Sequence, residues 1–192
     1  MQPDTQAWSK ADAEGRALYE KADYRGAISR WLDALVSLEE SGANARSRAE
    51  ALYNIGMCYG RMGDTEALIR YLERALEEHF TSHPPTQKAD HEFRARCLCR
   101  LGEAYRSLEA YDFSADCFSS AAEIATRANS EELAAECLTG WAQTAEAAGD
   151  IISALNILNR AREIARRHAV LADLEARSDE AIRRMLLAAS EL

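Results

Sequence analysis

Apolar side chains recur every three to four positions along this chain, in runs separated by short polar or glycine-containing breaks. That period is the signature of amphipathic helices with one buried stripe. It predicts nine helices, at about 5–21, 24–41, 44–62, 65–79, 87–108, 111–128, 131–148, 151–168 and 172–189. In the ninth, Leu171, Leu174, Ala181, Ile182, Met185 and Ala189 form the stripe, while Glu180, Arg183 and Arg184 fall outside it. The stretch Phe80–Thr86, FTSHPPT, interrupts the pattern with two prolines and reads as a loop.

The first eight helices fall into pairs that align on one template. The copies are Gly15–Leu35, Gly56–Leu76, Gly102–Ala122 and Ala142–Arg162. A column of very small residues, Gly15, Gly56, Gly102 and Ala142, lets a second helix cross closely. Trp31, Leu72, Phe118 and Leu158 stand opposite, and Ala34, Ala75, Ala121 and Ala161 follow three residues later. Between the helices sit Ala22-Asp23, Gly63-Asp64, Glu109-Ala110 and Gly149-Asp150. Glycine there suits a left-handed helix end, and the aspartate that follows can cap the next helix.

These columns resemble the tetratricopeptide repeat family, over about Ala11 to His168. The resemblance implies an all-α, right-handed α-solenoid: four antiparallel helix pairs stacked in sequence, with the ninth helix as a C-terminal cap. On this reading residues 1–192 form a single domain with repeats at about 5–41, 44–79, 87–128 and 131–168. Successive members of the Ala column lie 41, 46 and 40 residues apart, against a usual period of about 34. The sequence therefore looks like a longer-helix branch of the family, and the Phe80–Thr86 loop accounts for the widest spacing.

Composition supports the helical reading. The chain has 37 Ala and 20 Leu but 2 Val, and 3 Pro, a bias against strands. The net charge of −9 argues against a nucleic-acid binder and against attachment to an anionic membrane. No stretch approaches the roughly 20 apolar residues of a membrane span. The first residues lack the basic-then-apolar layout of a signal peptide, so a cytoplasmic location is expected.

Little supports catalysis. The chain lacks a phosphate loop and a nucleophile elbow. Five cysteines, Cys58, Cys97, Cys99, Cys117 and Cys137, read as free buried thiols rather than a disulfide frame. Cys97 and Cys137 hold equivalent places in adjacent repeats, which favours packing. His79, His83 and His91 with Cys97 and Cys99 lack the paired spacing of a zinc site. No catalytic residue, metal or cofactor is expected.

The resemblance implies that the first helix of each pair lines a concave groove. The inward positions are Asp12, Arg16 and Tyr19; Tyr53, Asn54 and Met57; Arg96, Cys99, Arg100, Glu103 and Arg106; and Glu136, Thr139, Gln143 and Glu146. Arg96 and Arg100 share one helical face, with Glu92 and Glu103 as neighbours able to pair with them. Some tetratricopeptide co-chaperones clamp the C-terminal carboxylate of heat-shock chaperones with basic residues and Asn. Asn54, Arg96 and Arg100 fall at three of the five clamp positions, but Asp12 stands where a basic group is needed. The expected function is a non-catalytic adaptor that binds a peptide or helix of another protein, including one with acidic groups or a C-terminal carboxylate. Tyr19, Tyr53 and Met57 would be apolar anchors, and Asn54, Arg96, Arg100 and Arg106 polar contacts. A chaperone for an apolar client segment and a self-associating structural module are the alternatives. The partner and the oligomeric state are left open by the sequence.

Overall fold

The structure, a computed structural model, describes residues 3–40, 45–82, 87–168 and 171–190, with side chains for 8–39, 45–79, 87–168 and 171–187. Among the described residues there are nine α-helices and no strand. They are α1 Pro3–Glu20, α2 Tyr24–Glu40, α3 Ala45–Arg61, α4 Thr65–Ser82, α5 Lys88–Ser107, α6 Tyr111–Arg127, α7 Glu131–Ala147, α8 Ile151–Ala165 and α9 Ala172–Ser190. The chain divides into two compact units: Met1–Thr86, holding α1–α4, and Gln87–Leu192, holding α5–α9.

Boundaries match the hydrophobic pattern to within about three residues. The one shift with a clear cause is at α4, which runs on through Phe80, Thr81 and Ser82. A proline disfavours the helical conformation at the residue before it, which leaves Ser82, two residues before Pro84, free to stay helical. The remainder of the expected loop, His83–Thr86, lies outside the described residues, as does the side chain of Ala189.

Each helix pair closes through the same turn. The second residue past the helix takes a left-handed conformation: Ala22 (φ 60°), Gly63 (82°), Glu109 (60°) and Gly149 (86°). The following N–H then reaches back five residues, as in Asp23 N to Leu18 O at 2.9 Å and Asp150 N to Ala145 O at 2.9 Å. Each such bond satisfies a carbonyl that the helix end would leave open. Asp23, Asp64 and Asp150 cap the next helix by accepting from Gly26, Ala67 and Ser153 N–H groups at 2.9–3.0 Å. At the third turn Ala110 offers no such side chain.

The small-residue column does what its size requires. A Cβ built on Gly15 would lie 2.6 Å from the Trp31 ring, and one on Gly102 would lie 2.7 Å from Phe118. Phe118 is also pressed by Gly140 of α7, where a Cβ would come to 2.3 Å. Phe118 therefore occupies a slot between α5 and α7. The Ser114 hydroxyl donates to Gly102 O (2.8 Å) and the Thr144 hydroxyl to Gly140 O (3.0 Å), with the two hydroxyl oxygens 2.9 Å apart. Both hydroxyls are buried yet fully used, as buried polar groups must be.

In the second unit α9 joins the core of α6–α8. Leu171, Leu174, Ile182 and Met185 are buried in the same cluster as Phe118, Leu138, Leu158 and Ala161. Ion pairs run from α9 to its neighbours: Arg162–Asp179 at 3.0 Å, Arg166–Glu175 at 2.9 Å and Arg184–Glu146 at 2.6 Å.

Candidate functional site

In the first unit the inward residues of α1 and α3 converge. Tyr19, Tyr53, Asn54 and Met57 line an open pocket of about 380 Å³ together with Arg16, Glu20 and the indole of Trp31. Four of these follow from helical spacing: Tyr53 and Met57 lie one turn apart on α3, and Arg16 and Tyr19 on α1. Trp31 belongs to α2 and reaches the pocket over Gly15, which only the tertiary contact reveals.

Asp12 organises the pocket wall. Its carboxylate accepts from Arg16 Nε (2.8 Å), Trp31 Nε1 (3.1 Å) and Asn54 Nδ2 (3.2 Å), so one side chain joins α1, α2 and α3. Asp12 would repel a ligand carboxylate if it stood alone; here its acceptor oxygens are committed to three donors. Asn54 is correspondingly held by Asp12. Across the pocket mouth Arg61 Nε donates to the Tyr19 hydroxyl at 2.9 Å, which fixes the ring. The result is a floor of aromatic and thioether surface with a polar rim, in which Arg16, Asn54 and the Tyr19 hydroxyl are held by neighbours.

The second unit presents a different chemistry. Arg100 Nη1 bonds both oxygens of Glu103 at 2.8 Å, and Nη2 bonds Glu136 of α7 at 3.2 Å. Glu103 is the expected neighbour; Glu136 comes from the adjacent repeat. Arg96 is exposed. The Ser130 hydroxyl chiefly, with Lys88 and then Arg96, holds the Glu92 carboxyl below its usual range. Arg106 is half-buried, with Nε lacking an acceptor among the described residues. On α7, Thr139 turns its hydroxyl back to Ala135 O at 2.8 Å. Asn54 belongs to the first unit, and Arg96, Arg100 and Arg106 to the second.

Four of the five thiols behave as the sequence suggests for buried cysteines, while Cys117 is only partly buried. Cys58, Cys97, Cys99 and Cys137 are buried and free. Burial pushes the Cys58 thiol up to about 11 and Cys97 higher still. Cys99 is raised by a hydrogen bond with Cys137, by burial, and by the charges of Glu136 and Glu103. Helical spacing alone could not bring Cys99 and Cys137 together, because they lie on α5 and α7.

Comparison with known proteins agrees with this architecture. Residues 49–78 match the family model described as tetratricopeptide repeat. Heat shock protein STI1 of Saccharomyces cerevisiae is 35% identical over 66 residues, which is 34% of this chain and 11% of that protein. Among solved structures, aspartyl phosphate phosphatase F from Bacillus subtilis superposes with a TM-score of 0.79 at 16% identity, over 98% of this chain and 47% of that one. The putative kinesin light chain of Podosopora anserina, with TPR-like repeats, gives 0.76 at 13% identity over 100% and 90%. The Rap conjugation gene regulator of the plasmid pLS20, in complex with the Phr* peptide, gives 0.68 at 17% over 93% and 47%. This chain thus spans about half the length of the Rap and phosphatase chains it resembles, and the shared feature is the tetratricopeptide-like helix-pair fold.

Proposed function

We propose that this tetratricopeptide-type repeat protein is a non-catalytic interaction scaffold whose first unit binds a peptide or helix of another protein. The observation that carries the reading is the pocket of about 380 Å³ under Tyr19, Tyr53 and Met57. Its floor is apolar, and Arg16, Asn54, the Trp31 indole and the Tyr19 hydroxyl are each held by a neighbour, so it suits an aliphatic or aromatic side chain. The Rap regulator with a bound Phr* peptide is one protein of similar fold that holds a peptide.

Arg96 and Arg106 are the second unit's candidates for an acidic group on the partner. Arg100 is a weaker candidate, because a ligand would compete with Glu103 and Glu136 for its guanidinium. An exposed guanidinium gives a charge-assisted hydrogen bond that weakens with salt. No described helix is long and apolar enough to cross a membrane, and the free thiols suit a reducing compartment.

The test is an affinity capture with the wild-type chain beside two variants, Tyr53→Ala/Met57→Ala and Arg96→Glu. A partner bound through the pocket should lose at least about tenfold in affinity, or about 1.4 kcal/mol, in the first variant while the melting temperature holds. Arg96→Glu should reduce binding chiefly at low salt. A partner retained by both variants at wild-type affinity would refute the pocket assignment.

A further inference from the structure

One cluster of side chains in the second unit has the composition of a cation site. Cys99 and Glu103 lie one turn apart on α5 and share a face. Glu136 of α7 meets them, so that one ligand atom from each of the three lies within 4.8 Å of the others. Cys99 is 2% exposed, whereas the Glu103 and Glu136 side chains keep 41% and 47% of their surface. The sulfur is the floor and the carboxylates are the open side. The buried Cys137 of α7 neighbours Cys99.

Arg100 already touches both carboxylates, but it does not exhaust them. It uses one oxygen of Glu136, and each carboxylate offers about four lone-pair directions. The two carboxylates and Arg100 carry one net negative charge. Loss of the Cys99 proton would make that two, which a dication neutralises.

We propose that Cys99, Glu103 and Glu136 form a binding site for a borderline-soft divalent cation, with Zn²⁺ as the best match. Thiolate and carboxylate oxygen are both zinc donors, and three protein ligands leave a position for water or a partner's side chain. On binding, the Cys99 S–H proton leaves to solvent and the sulfur bonds the metal; no electron transfer is involved. The site stands apart from the first unit's pocket and does not depend on the scaffold reading.

The experiment is a titration of the full chain, reduced with a phosphine, with Co²⁺ as a spectroscopic probe and Zn²⁺ as competitor. One equivalent of Co²⁺ should raise a thiolate-to-cobalt charge-transfer band that one equivalent of Zn²⁺ removes. Cys99→Ser should abolish the band. Glu103→Gln and Glu136→Gln should each weaken binding by about tenfold or more, at least the cost of losing an outer partner of a metal ligand. Cys117→Ser should change nothing. No charge-transfer band with the wild-type chain, a band that survives Cys99→Ser, or glutamine variants that bind as tightly as wild type would each overturn the site. Should Cys99→Ser not fold, the two half-exposed glutamate positions still decide the matter.

Discussion

Phe118 sits where two helices each give up a side chain. Gly102 and Gly140 face its two sides, and their carbonyls are taken up by Ser114 and Thr144. An added methyl at Gly140 has nowhere to go, because the nearest atom is a ring carbon at 2.3 Å on a fully buried side chain. Gly140→Ala should therefore cost about 1–3 kcal/mol by overpacking, read as a lower urea midpoint with an unchanged slope. Gly56→Ala should cost less, because its closest neighbour, Tyr71 Cβ, is 3.2 Å away. Equal tolerance of both substitutions would mean the slot is not as tight as drawn. The first glycine of the Phe118 pair is legible in the sequence because Gly102 belongs to the repeated column. Gly140 is not, because it faces Phe118 from the next repeat. Asp12 illustrates the same limit at the site. Its place facing inward follows from helical spacing, but its bonds to Trp31 and Asn54 cross three helices.

At the scale of elements, the four turns between paired helices form a natural comparison. Two read Gly-Asp, one Ala-Asp and one Glu-Ala, yet all four adopt the same left-handed step. Glu109 bears a Cβ in that conformation, which costs roughly 1 kcal/mol, and Ala110 leaves the start of α6 without a side-chain cap. The double change Glu109→Gly/Ala110→Asp should therefore stabilise the chain by about 1–2 kcal/mol, seen as a higher melting temperature. If it does not, the turn has a compensation that its geometry does not reveal. Helix positions were legible because each amphipathic run is long and punctuated by these turns. The α4 end was not, because proline fixes where a helix must stop and not how close to it the helix runs. Arg100 shows why the candidate contacts were only half legible. Helical spacing finds Glu103 on its own helix, while Glu136 arrives through the packing of α7 on α5.

For the molecule as a whole, the last helix decides how well the second unit holds together. Its ion pairs set an acid limit. The Arg162 hydrogen bond, with charges from Arg166 and Arg183, holds the Asp179 carboxyl below its usual range. A depressed carboxylate stabilises the fold above its unfolded value and loses that contribution as pH falls through the folded value. Melting temperature should thus drop below about pH 4, less steeply in Arg162→Met, which takes away the largest cause of the shift. An identical acid slope in that variant would exclude the pair as its source. The larger contribution is apolar. Leu171, Leu174, Ile182 and Met185 are each less than 10% exposed. Burying such a side chain is worth about 1.5–3 kcal/mol, an upper estimate on an extended reference chain. Four of them together rival the roughly 5–15 kcal/mol that holds a whole domain folded. Removing α9 also uncovers Leu158 and its neighbours in the same cluster. A chain ending at His168 should melt well below the full chain and aggregate, with light scattering showing species larger than the intact protein. A truncated chain with unchanged melting temperature and size would make α9 an appendage, and the core of the second unit would then have to close on α5–α8 alone.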